Sequence, residues 1–78
     1  MRLNKALFTL TPSQLSRLSE KVKEIEGKII TLEIESEEIN AGKIERLVDR
    51  KDSLEIALGH YFEGNANEYE IRYLIASL

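Results

Sequence analysis

Ile39-Asn40-Ala41-Gly42-Lys43-Ile44 is the stretch on which the fold turns. Before it, Leu15, Leu18, Val22, Ile25, Ile29, Leu32, Ser36 and Ile39 recur at alternating spacings of three and four, the apolar seam of an amphipathic helix interrupted only by Ser36. After it, Ile44, Leu47, Val48, Leu54, Leu58, Tyr61 and Phe62 form a second stripe, with Lys51 and Glu55 as its polar members. The second stripe is out of phase with the first by one residue. A single rod would have to absorb that slip at Asn40-Ala41-Gly42-Lys43, where asparagine and glycine favour a turn. The reading is an antiparallel helical hairpin, with helices over about residues 12–38 and 43–62.

Folding back between Ala41 and Gly42 pairs Ile39 with Ile44, Ile29 with Leu54, Ile25 with Leu58 and Val22 with Tyr61. The same register sets Glu37 opposite Arg46, Glu33 opposite Arg50 and Lys28 opposite Glu55, so apolar and charged positions agree. A rival exists in the parallel coiled coil, where Lys21 and Lys28 at g positions would meet Glu26 and Glu33 at e positions of a second chain.

The hairpin has a marked beginning. In Leu10-Thr11-Pro12-Ser13-Gln14-Leu15, Thr11 caps a helix, Pro12 suits its first position, and Gln14 reaches back to the Thr11 N–H. Leu10 and Leu15 flank this cap as a hydrophobic staple. After Phe62, the segment Glu63-Gly64-Asn65-Ala66-Asn67-Glu68 reads as a turn, with Asn65 and Glu68 as the expected cap of a short C-terminal helix over about residues 66–78. Ile71, Leu74, Ile75 and Leu78 give that helix one apolar face. The fold class expected is therefore all-α. The alternative is a small α+β domain with strands near 28–35 and 68–76, since Ile30, Leu32 and Ile34 alternate, as do Tyr69, Ile71, Tyr73 and Ile75. Near the start, Leu3, Leu7 and Leu10 suit a short helix, whereas Leu7-Phe8-Thr9-Leu10 suits a strand or arm.

Composition bounds the function. The chain has 78 residues, 42% hydrophobic and 32% charged, enough for one core, and residues 1–78 read as a single helical domain. With no cysteine, disulfides and thiolate metal sites are excluded. No apolar run approaches membrane-spanning length and no secretion signal is recognisable, so the expected location is cytoplasmic. A formal net charge of −3 gives no general attraction to nucleic acid or anionic membranes.

His60 is the single histidine, and with Glu63 it supplies only two of the three or four ligands a metal site needs. Glu33, Glu35, Glu37 and Glu38 lack the glycine-punctuated spacing of a calcium loop and read as a solvated face. No nucleophile motif, dinucleotide fingerprint or phosphate loop occurs, so neither catalytic residue, cofactor nor metal is expected and the chain reads as a non-enzyme. Tyr61, Phe62, Tyr69 and Tyr73 bracket the second turn and are the candidate partner-binding residues, because aromatic side chains bring large contact area with little entropy loss. Lys43, Arg46 and Arg50 share one helical face and are the candidates for phosphate contact, although Glu45, Asp49 and Asp52 interleave with them.

The expected function is a non-enzymatic protein–protein interaction or regulatory protein, a self-associating helical hairpin that forms a homodimer and binds a partner protein. A homodimer is expected because a domain this small has little other means of covering two long apolar stripes. Two alternatives follow from charge: a nucleic-acid-associated regulator using Lys43, Arg46 and Arg50, or a small acidic inhibitor or immunity-type protein that covers a basic site with residues Glu33 to Glu38.

Overall fold

A computed structural model describes residues 9–78. Three helices occur in chain order, α1 (Pro12–Ser36), α2 (Ala41–Phe62) and α3 (Glu68–Ala76), and the described residues contain no strand. The expectations for residues 1–8 lie outside the described residues. The strand alternative fails at both places: residues 28–35 lie within α1 and 68–76 within α3. The β-branched run Ile29-Ile30-Thr31 costs helix propensity, but extending a formed helix needs no new nucleus, and Ile29 and Leu32 keep the seam in register with Ile25.

α1 begins as its sequence dictates. The Gln14 N–H donates to Thr11 Oγ1 at 3.1 Å, and the Thr11 N–H donates to Gln14 Oε1 at 2.9 Å, closing the capping box around Pro12. Leu10, buried behind the cap, donates its N–H to the Tyr61 hydroxyl at 2.8 Å, which ties the entry of α1 to the last turn of α2. That bond spans 51 positions of sequence and joins the two ends of the hairpin, as an antiparallel pair requires.

The reversal is earlier than the sequence suggests. It occupies Glu37–Asn40, with the Asn40 N–H donating to Ser36 O at 3.0 Å and Asn40 Nδ2 donating to Leu32 O at 3.0 Å. Asn40 thereby satisfies the Ser36 carbonyl, which the end of α1 would leave unpaired, and adds a second bond to the Leu32 carbonyl one turn back. Gly42 lies within the first turn of α2 with ordinary backbone geometry, so it is not the turn residue. Moving the reversal moves the register. Lys51 Nζ lies 3.8 Å from Glu26 Oε1, and Ser19, Val22, Glu55 and Leu58 line one inter-helix groove, so facing positions sum to about 77. The expected pairings of Ile29 with Leu54 and Val22 with Tyr61 are displaced by about six residues, nearly two turns, and Ile39, expected opposite Ile44, is 85% exposed in the reversal.

The expected charge pairs are corrected too. Among the described residues, Glu37–Arg46, Glu33–Arg50 and Lys28–Glu55 are not ion pairs. Rotation of about 100° per residue explains why. Measured from the seam, Glu33 and Glu37 emerge on the side of the hairpin that carries the Lys51–Glu26 pair, while Lys28, Arg46 and Arg50 emerge on the opposite side, the one α3 occupies farther along α2. Each expected pair thus straddles the hairpin.

α2 ends in a Schellman motif: Asn65 N–H donates to His60 O at 2.8 Å and Gly64 N–H to Tyr61 O at 3.1 Å. Gly64 takes φ of 78°, the one left-handed position among the described residues, which a side chain would strain. α3 starts two residues later than expected. Its cap is Asn67, whose Oδ1 accepts from the Glu70 N–H at 2.8 Å while the Asn67 N–H donates to Glu70 Oε1 at 3.2 Å, so the capping box is Asn67/Glu70 rather than Asn65/Glu68.

The core sits at the open end. Leu10, Leu18, Ile25, Leu54, Ala57, Leu58 and Leu74 form one buried cluster, with Ile71 also buried, and α3 covers it from one side. No residue from 26 to 53 is buried. The half of the hairpin nearer the reversal is a two-helix stalk whose Ile29 and Leu47 are only partly covered.

Lys51 occupies the seam with its side chain 27% exposed, its ammonium shared between Glu26 and Glu55, the latter at 3.6 Å. Its four-carbon stem lies on the apolar seam and its charge reaches the rim. Rim ion pairs contribute about 0–1 kcal/mol each, no more than the apolar area a leucine would bury. Lys51→Leu is therefore expected to melt at the same temperature or higher. A fall of more than about 5 °C, or roughly 1 kcal/mol for a domain of this size, would show that the ion pairs outweigh burial.

Candidate functional site

α2 and α3 diverge enough to leave an open groove of about 350 Å³ between them, lined by Ser53, Ile56, Ala57, Tyr69, Glu70 and Tyr73. Ile56 reaches it because it lies two residues from Leu54 and two from Leu58, about 200° around α2 from the buried seam. Tyr69 and Tyr73 are one turn apart on α3, so their rings share its outer face. Tyr69 is 86% exposed, Ile56 57% and Tyr73 36%. This is a mostly apolar surface to which two tyrosines contribute.

The four aromatic candidates separate. Tyr69 and Tyr73 line the groove. Tyr61 packs against the core and uses its hydroxyl to accept from Leu10 N–H, a structural role. Phe62, 67% exposed, meets the Tyr61 ring edge-on with centroids 6.1 Å apart and does not line the groove. Sequence reading missed Ile56, although a signal was present, since an isoleucine at the point of α2 farthest from its seam has no intramolecular reason to be apolar.

One polar device frames the groove. His60 Nδ1 on the last turn of α2 pairs with Glu70 Oε2 on α3, while the other oxygen of the same carboxylate closes the capping box. One side chain therefore both starts α3 and latches it to α2. The histidine also stands where the C-terminal dipole of α2 favours positive charge. The hydrogen bond from His60, then that from the Asn67 N–H, holds the Glu70 carboxyl below the usual glutamate range.

That direction fixes a pH dependence. A carboxyl whose folded pKa is depressed contributes its stabilisation in full above the unfolded pKa and loses it as pH falls through the folded value. Glutamine also serves at the third position of a capping box, so Glu70→Gln keeps the cap and removes the titration. Between about pH 6 and pH 3, the melting temperature of the wild type should fall more steeply than that of Glu70→Gln. Parallel curves would show that Glu70 is not linked to folding.

Lys43, Arg46 and Arg50 are all exposed on the first turns of α2, without an acidic group within ion-pair distance. Glu33, Glu35, Glu37 and Glu38 are exposed at the end of α1 and in the reversal, likewise without ion pairs among the described residues. His60 and Glu63 are joined by no third ligand, and among the described residues no group of three or more histidine, aspartate or glutamate side chains is arranged to hold a metal ion. No helix among the described residues is long and apolar enough to cross a membrane. Compared with protein-family models, with curated proteins and with solved structures, the chain matches none.

Proposed function

We propose that this chain is a non-enzymatic interaction protein whose α2–α3 groove receives an apolar anchor from a partner protein. The supporting observation is the exposure of Tyr69, Ile56 and Tyr73 on one open groove of about 350 Å³. Nothing within the described fold covers this surface, and a groove lined by two tyrosines and an isoleucine resembles the aromatic anchoring points that dominate protein interfaces. Its volume suits one or two side chains of a partner.

Self-association belongs to the same reading. The stalk beyond α3 leaves Ile29 and Leu47 partly covered and Ile30 56% exposed, and a second copy would shield part of that surface.

The groove is tested by comparing the complexes recovered with the wild type and with Ile56→Arg, a change on the exposed face that leaves the core untouched. The partner should bind the wild type and lose at least tenfold in affinity to Ile56→Arg, as for the loss of an interface hot spot. Equal recovery by both, with both folded, would remove the groove from the function.

A further inference from the structure

The stalk is electrically two-sided. On one side Glu33 and Glu37 flank Ile30 and Val48, which stand at the same height on the two helices and are 56% and 37% exposed. On the other side stand Lys28, Arg46 and Arg50, level with Ile30 and Val48 but about six residues farther from the reversal than Glu33 and Glu37. None of these five charged groups has an ion-pair partner among the described residues. Lys51, the cation that does face the acidic side, is already shared between Glu26 and Glu55. Glu35 is the one stalk acid that rotation places on the basic side of α1, and it too makes no ion pair among the described residues.

We infer that copies of this chain associate face to back, the basic side of one stalk against the acidic, isoleucine-bearing side of the next. This rests on the self-association reading above and says which surfaces meet. A two-fold dimer brings a side against the same side of its partner, so either choice would oppose like charges. Face-to-back packing with one copy slid about 9 Å along the other brings Arg46 to Glu37 and Arg50 to Glu33, whose four-residue spacings match, and the aliphatic stems of the arginines cover Ile30 and Val48. The second copy is the occupant because the complement to the acidic side is carried on the same molecule. A face-to-back contact leaves one side of each kind free, so the dimer is a first step and assembly continues as concentration rises. Since the contact is largely charged and exposed to solvent, it weakens as salt shortens the reach of the charges.

Sedimentation velocity of the full chain, over a concentration series at low salt and at about 0.5 M salt, reads the assembly. The expected result is a mass that passes the dimer at low salt and falls toward the monomer at high salt. Arg46→Glu with Arg50→Glu, and separately Glu33→Arg with Glu37→Arg, should each weaken association at least tenfold, because each opposes like charges at the contact. All four positions are exposed, and circular dichroism confirms that the variants remain helical. Mixing the two variants is decisive: the reversed basic side of one meets the reversed acidic side of the other, so opposite charges face again and association returns. A species that stops at the dimer and ignores salt and both reversals would overturn the face-to-back arrangement while leaving self-association standing. A monomer at every concentration and salt would overturn both.

Discussion

Leu54→Ala is expected to be among the most damaging truncations in this chain, costing about 2–5 kcal/mol. Leu54 is fully buried at the point where α1, α2 and α3 meet, in one cluster with Leu18, Leu58 and Leu74. The cost combines lost transfer energy with a cavity that its neighbours cannot close, because each is held by a different helix. In a domain of this size every 1 kcal/mol moves the melting temperature by roughly 4–8 °C, so a fall of at least about 10 °C should be seen by circular dichroism. Ile34→Ala, at a position 79% exposed on the stalk, is the matched control and should change stability by less than about 0.5 kcal/mol. Equal losses for the two would contradict a core confined to the open end.

Leu74→Ala is expected to cost as much and to act differently. α3 has nine residues, too few to persist as an isolated helix, so it depends on what it buries. Leu74, fully buried, is its main anchor, with Ile71 beside it and the His60–Glu70 latch at its start. Removing the leucine should release α3 before the hairpin opens, taking the groove of Tyr69 and Tyr73 with it. Hydrogen exchange should show protection lost first over Glu68–Ala76 and retained longest around Leu18 and Leu58. Simultaneous loss across all three helices would mean that α3 is an inseparable part of the core.

The elements were legible in the sequence because each carries a local signature. Thr11 and Gln14 mark the start of α1, two apolar stripes mark the hairpin, and Gly64 marks the end of α2. Register was not legible, for a specific reason. Sliding two amphipathic helices past each other by about six residues, close to one heptad, keeps the same faces together, so apolar residues still meet apolar residues when facing positions sum to about 77 instead of 83. The earlier reversal at Glu37–Asn40 is accompanied by a side-chain bond, Asn40 Nδ2 to Leu32 O, that periodicity does not reveal. The charges suggested the other register because pairing by height ignores the side of the hairpin from which each group emerges.

The candidate site was legible in part. Aromatic content pointed to the right end of the molecule, and Tyr69 and Tyr73 do share the groove, but Tyr61 was absorbed by the core through its bond to Leu10. Ile56 needed the helical wheel of α2 together with the placement of α3. The latch between His60 and Glu70 needed the geometry of the second turn, since nothing in residue spacing joins the end of one helix to the first turn of the next.

The groove, the latch and the two-sided stalk all require α1 and α2 to lie side by side in one chain. Ser19 and Glu55 line one groove between the helices, and both are exposed, so cysteines there can carry spin labels without entering the core. In a continuous rod these positions, 36 residues apart, would lie about 54 Å from each other at 1.5 Å per residue. In the hairpin the helix axes are about 8–10 Å apart, and with the reach of the labels the distance should centre below about 25 Å. The doubly labelled protein, diluted in unlabelled chain to suppress signals between copies, should give that short distance as its dominant population. A dominant population beyond about 45 Å would contradict the hairpin, and with it the groove and the two-sided stalk.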